Sequence, residues 1–230
     1  MKKALIIAPH LDDEALGCGG TIAALSADGT EVRVCFVAHR IYEHTYDAAK
    51  MQVELAHAEA ARETLGYSRF DFLDLPDERL DTAIQEIIIP LEKIVDSFKP
   101  ELVFSPFPGD NNQDHRAVAA AASVVLRPSH ATFVEKWLFY ETPSCTEQTP
   151  NTGNAVFAPT AYFNVSKYFD AKLDAVACYE TEARAYPNPR SPEGLRALAM
   201  KRGIEAGMEL AEAFIPARMK LFKGKTCPTS

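Results

Sequence analysis

The chain contains no C-x-x-C pair, no apolar stretch long enough to span a membrane, no internal repeat and no low-complexity segment. Its five cysteines, Cys18, Cys35, Cys145, Cys178 and Cys227, are scattered and odd in number. They therefore suggest neither a disulfide framework nor a thiolate zinc site. That usage fits a reducing compartment, and the expected location is cytoplasmic. Lys2 and Lys3 ahead of Leu5-Ile6-Ile7 imitate the start of a secretion signal, but Pro9, His10 and Asp12 cut the apolar run short. Lys and Arg (24) are outnumbered by Asp and Glu (32), for a net charge of -8. An acidic balance of this kind argues against nucleic acid or an anionic membrane as partner and leaves a small molecule as the expected one. Nothing in the composition specifies an oligomeric state.

What is present is an ordinary globular composition, 47% apolar and 24% charged over 230 residues, enough for a large core without disulfides. Short apolar runs alternate with helical patterns, which predicts parallel βαβ units and an α/β fold. Strands are expected at Lys3–Ala8, Glu31–Ala38, Phe70–Leu73, Glu101–Ser105 and Lys136–Glu141, with a short one at Ala161–Val165. Helices are expected at about Ala15–Ala27, Asp47–Leu65, Thr82–Phe98, Gln113–Leu126, Lys167–Glu182 and Pro192–Phe214, with Ser166 and Ser191 as caps for the last two. Gly29 and Gly66 sit where helices end, and residues 142 to 160 read as a long surface loop. One domain is expected over residues 1 to 222, followed by a polar, mobile tail at 223 to 230.

The densest chemistry lies at residues 8 to 14, Ala-Pro-His-Leu-Asp-Asp-Glu, directly after the first strand. Three adjacent carboxylates repel one another unless a cation or hydrogen-bond donors compensate. His and Asp are both ordinary zinc ligands, so His10 and Asp13 could close on one ion, with Asp12 beside it as a base. Ligands in open parallel sheets collect at the carboxyl ends of the strands. The fourth strand exits into Pro106 to Arg116, which contains Asp114-His115. If that strand neighbours the first, His115 joins His10 and Asp13 to give two nitrogens and one carboxylate oxygen, with an open position for water. His39 also follows a strand and could line the pocket, whereas His44, His57 and His130 read as solvent-facing or structural. Gly17-x-Gly19-Gly20 lacks the full G-x-G-x-x-G spacing and follows acids that would repel a pyrophosphate. These glycines are expected instead to let the first helix pack closely against the acidic loop.

With those residues set out, the chain resembles the PIG-L, or LmbE-like, zinc-dependent N-deacetylases. His10-Leu11-Asp12-Asp13-Glu14 is similar to their His-Pro-Asp-Asp-Glu signature, and Asn112-Gln113-Asp114-His115 to their His-x-Asp-His motif opening a helix. Leu65-Gly66, Pro189-Arg190-Ser191, Arg202-Gly203 and Ala211-Glu212-Ala213-Phe214 extend the similarity from Lys3 to Phe214. The resemblance implies a Rossmann-like three-layer αβα sandwich with a mostly parallel sheet and no dinucleotide. It implies zinc, or another divalent metal, on His10, Asp13 and His115, and removal of an N-acetyl group from an amino sugar or sugar conjugate. Asp12 would be the base, Asn112 and Asp114 would complete the catalytic group, and Glu14 would support it. Arg190 would either meet the substrate or form a salt bridge at a helix entrance. Two departures stand out. Leu11 replaces a proline, and Asn112 replaces a histidine with a side chain that donates a hydrogen bond but does not shuttle a proton. Asn188, where histidine is frequent, bears on a substrate contact. Two alternatives remain at this level: an amidase acting on a non-sugar N-acyl metabolite, and a non-catalytic sugar or nucleotide binder.

Overall fold

The computed structural model describes residues 1–39, 47–150 and 156–221. His44, Cys227 and the tail from residue 223 lie outside the described residues. The elements in chain order are β1 (Lys3–Ala8), α1 (Asp13–Ala27), β2 (Glu31–Ala38), α2 (Ala48–Leu65), β3 (Arg69–Leu75), α3 (Ile84–Phe98), β4 (Leu102–Pro106), α4 (Gln113–Val125), β5 (Lys136–Tyr140), β6 (Ala161–Asn164), α5 (Phe169–Cys178), α6 (Pro192–Ala206) and β7 (Ala211–Met219). The seven strands form one sheet in the order β3-β2-β1-β4-β5-β7-β6. β1 to β5 run parallel, while β7 is antiparallel to both β5 and β6.

This sheet separates two cores. α1, α2 and α5 cover one face through residues such as Ile6, Phe36, Ala58 and Phe104. α3 and α4 cover the other through Leu5, Val37, Leu91 and Val118. α6 joins the first side, packing Leu195 and Ala199 against Leu16 of α1 and Phe169 of α5. The result is the expected three-layer α/β arrangement. From Ala4 to Ala8 and from Leu102 to Phe104 both faces are buried, which is why these stretches read as apolar runs rather than alternating ones.

Most elements lie within two residues of their predicted bounds; the differences have identifiable causes. Helix Pro192–Phe214 was too long: α6 ends at Ala206, capped by Gly207 at φ 69, and Ala211–Met219 forms strand β7. Ala211-Glu212-Ala213 are good helix formers, and burial between β5 and β6 overrides that propensity. The span Lys167–Glu182 contains α5 and then a separate 3₁₀ turn at Glu180–Glu182. Ser166 does not cap α5, whose preceding residue is Tyr168; its hydroxyl donates to Asn164 Oδ1, and its Oγ accepts from Leu210 N–H. Ser191 does cap α6, its Oγ accepting from Gly194 N–H at 3.0 Å.

The glycines of α1 have a packing role, but against other partners than expected. A Cβ on Gly17 would fall 2.4 Å from the Tyr140 ring, and one on Gly20 2.7 Å from Val165. Tyr140 cannot retreat, because it is fully buried and its hydroxyl donates to Ile7 O at 3.0 Å. Gly17→Ala should therefore destabilise the fold by about 1–3 kcal/mol, despite alanine's better helix propensity, as read by thermal or denaturant unfolding. A stability equal to the parent would show that α1 can slide.

Candidate active site

The chain runs outward from β1 through β2 to β3, then returns to the other side of β1 as β4. The carboxyl ends of β1 and β4 therefore flank a topological switch point, where open parallel sheets place their ligand crevices. The loop after β1 carries His10 to Asp12, and α1 begins at Asp13. The loop after β4 ends at Asn112, whose Oδ1 accepts from Asp114 N–H at 2.8 Å and caps α4. Because that oxygen is committed to the cap, the amide nitrogen is the end of Asn112 left for donating into the cleft. The cleft is lined by His10, Asp77, Glu78, Asn112, Gln113, His115 and Arg190.

One ligand atom from each of His10, Asp13 and His115 lies within 4.8 Å of the others. Asp13 Oδ2 is 3.2 Å from His10 Nδ1 and 3.3 Å from His115 Nε2, and also accepts from the His10 backbone N–H at 2.9 Å. The opposite nitrogens face other carboxylates. His10 Nε2 lies 3.0 Å from Asp77 Oδ1 and 3.2 Å from Asp114 Oδ2, and His115 Nδ1 lies 3.4 Å from Asp110 Oδ2. Asp114 is buried behind His10, its two oxygens accepting from the backbone N–H groups of Glu78 (2.7 Å) and Leu80 (3.1 Å).

Two imidazoles thus sit among four carboxylates, and the charges respond. Burial alone would lower His10, but Asp114, Asp13 and Asp77 hold its imidazole well above the ordinary value. For His115, burial opposes and Asp13 and Asp110 prevail, raising it to about 9. Burial would raise Asp13, yet the two histidines hold it well below the usual carboxylate range. The field favours positive charge at this point, whether protons or a cation. Among the described residues, buried Asp13 Oδ1 has no hydrogen-bond partner. Two imidazole nitrogens and this one carboxylate, with an oxygen unsatisfied, form a donor set suited to a divalent metal.

Asp12 stands beside the trio with φ 124, an uncommon backbone conformation for a residue with a side chain. Its carboxylate meets Arg190 Nη1 at 2.8 Å. Arg190 also reaches Glu182 Oε2 at 3.0 Å and donates from Nε to Ser144 Oγ at 2.7 Å. Arg190 thus lines the cleft and is ion-paired at the entrance to α6. Glu14 is fully buried, and burial pushes its carboxyl up to about 8. It accepts from Tyr179 Oη at 2.6 Å and from Asp12 N–H at 3.3 Å. His39 is buried at the end of β2, its N–H bonded to Leu75 O, and does not line the cleft. His57 lies by Glu54 and His130 by Asp96, away from the cleft.

Several neighbours of the site were not singled out from the sequence. Asp77 and Glu78 follow β3, so the strand-exit rule applied to β1 and β4 finds them too. Asp110 lies in the loop after β4, a few residues ahead of Asp114 and His115. Ser144, Thr146, Tyr179 and Glu182 carry no local signal, because only the folded chain brings them to the site.

Fold and site together define a Rossmann-like α/β protein with a candidate metal centre at its switch point. The chain belongs to the PIG-L family, described as GlcNAc-PI de-N-acetylase, whose model matches residues 5–126. It is 28% identical over 183 residues to the uncharacterized deacetylase YaiS of Escherichia coli (strain K12), covering 76% of this chain and 89% of that one. It is 26% identical over 234 residues to the diacetylchitobiose deacetylase of Thermococcus kodakarensis, covering 94% and 84%. Among solved structures, the conserved protein TT1542 from Thermus thermophilus superposes with a TM-score of 0.78 at 24% identity, covering 99% of this chain and all of that one. That last likeness is one of fold. No helix among the described residues is long and apolar enough to cross a membrane.

Proposed function

We propose that the chain is a metal-dependent N-deacetylase that hydrolyses the acetamide of an amino sugar or sugar conjugate to acetate and a free amine. The observation that carries this reading is the convergence of His10 Nδ1, Asp13 and His115 Nε2 beside Asp12 at the mouth of a polar cleft. Relatives that are deacetylases, one of them acting on diacetylchitobiose, support the substrate class. His10, Asp13 and His115 would hold the metal; zinc suits the donors, and other divalent ions share them. When bound, such an ion acidifies water and polarises an acyl carbonyl.

The remaining roles fall to side chains. Asp12 takes a proton from the water attacking the acetamide carbon and returns it to the amine nitrogen as the C–N bond breaks. Asn112 donates from its amide nitrogen to the developing oxyanion, a type of contact whose loss typically costs about 3 kcal/mol of barrier. Asp114 fixes the His10 ring through Nε2. Glu14 holds the Asp12 backbone N–H, and Arg190 orients the Asp12 carboxylate while presenting a cationic edge to the substrate.

Purified protein should contain a divalent metal in stoichiometric amount and release acetate from N-acetylated amino sugars, with loss on chelation and recovery on adding metal back. Acetate from N-acyl amino compounds but from no sugar would move the assignment to a non-sugar amidase. Metal-loaded protein that binds amino sugars without turnover would make it a binder and sink the proposed activity.

A further inference from the structure

We infer that Thr146 and Asp110 are positioning residues that set the metal affinity of the site by fixing the tautomer of His115; this rests on the metal reading above. Thr146 donates from Oγ1 to Asp110 Oδ2 at 2.7 Å, and its oxygen accepts from Thr142 N–H at 2.8 Å. Asp110 Oδ1 accepts from Asn112 N–H at 2.9 Å. The carboxylate is therefore gripped at both oxygens, and Thr146, Asp110 and His115 are all buried. Asp110 Oδ2 faces His115 Nδ1 at 3.4 Å, a contact longer than a closed hydrogen bond. Among the described residues no other group bonds that nitrogen. Both ring nitrogens face carboxylates, Nε2 that of Asp13 and Nδ1 that of Asp110; a metal ligated at Nε2 would displace the proton there, and Asp110 would hold the remaining one on Nδ1.

This gives the loop after β5 a role that its Thr- and Pro-rich composition did not suggest. Ser144 and Thr146, two residues apart, reach the two halves of the site by separate routes. Ser144 meets Arg190 and through it Asp12, while Thr146 meets Asp110 and through it His115.

Asp110→Asn separates this from a merely structural contact. Asn112 N–H holds the Oδ1 end, so the new amide nitrogen takes the Oδ2 place and turns a donor towards His115 Nδ1. The ring's single proton then stays on Nε2, facing Asp13, where it blocks ligation. Zn²⁺ affinity, measured by competition with a chromophoric chelator, should fall about 10–100-fold in Asp110→Asn and in the same direction, by less, in Thr146→Val. Thr146→Ser, which keeps the hydroxyl, should stay within about twofold of the parent. Ser144→Ala should leave Zn²⁺ affinity unchanged. The ¹⁵N shifts of His115 in the metal-free protein should report the Nε2–H tautomer in Asp110→Asn. Parent-like affinity in both Asp110→Asn and Thr146→Val overturns the inference. So does a loss in Ser144→Ala or Thr146→Ser as large as in Thr146→Val. Failure of the parent to bind Zn²⁺ or any other divalent ion would instead overturn the metal reading itself, and this inference with it.

Discussion

Asp12→Asn is expected to lower kcat by about 10²–10⁴-fold while leaving the fold and the metal content intact. The metal should stay because Asp12 is outside the trio of His10, Asp13 and His115. The fold should stay because asparagine tolerates a positive φ better than most residues and retains an oxygen for Arg190. What is lost is the ability to take a proton from water and return it to the amine. KM should change little, since Arg190 keeps its partner. Steady-state acetate release with metal analysis on the same preparation checks both halves. Turnover within about threefold of the parent would place the base elsewhere, because a general base contributes far more than that.

Lys172→Met is expected to cost about 3–5 kcal/mol of stability, the usual penalty for stranding one member of a buried ion pair. Lys172 of α5 and Glu212 of β7 meet at 2.5 Å, and both are nearly inaccessible to solvent. The pair is set into the side of α1. Lys172 donates to Leu16 O, and the Glu212 oxygens accept from Gly20 N–H and Thr21 N–H. Adding Glu212→Gln removes the stranded charge yet keeps an oxygen for one of those amides. The double variant should therefore be more stable than Lys172→Met alone, a positive coupling seen by denaturant unfolding in a double-mutant cycle. Additive losses would mean that the two charges do not stabilise each other. Because α1 starts at Asp13, catalytic measurements on these variants also report how firmly the helix holds the trio.

Much of this architecture was legible because local and global signals agree. Gly66 ends α2 in the left-handed conformation, Asp47 caps its start, and β1 and β4 are buried on both faces. The arrival of His115 at His10 and Asp13 hung on β1 and β4 being neighbours, and they are. β7 was misread because Ala211-Glu212-Ala213 favour a helix and are held extended only by two neighbouring strands. The signal against a helix was Gly207, a natural stop. Ser144 and Thr146 were illegible for a deeper reason. A loop residue that braces a ligand from tens of residues away leaves no period or spacing for a reader to find.

All three members of the trio precede residue 116, inside the stretch that matches the family model, whereas Ser144, Thr146, Glu182 and Arg190 arrive from beyond residue 126. On the proposed function, the reacting groups are thus inherited on one length of chain and several of the residues that steady them on another. A hybrid that takes its downstream portion from a relative should keep the trio and most of the cleft lining while exchanging what steadies them. The crossing-over has one condition: a hydroxyl must still arrive where Thr146 stands, or the transplanted half will unsettle the histidine that it never touches.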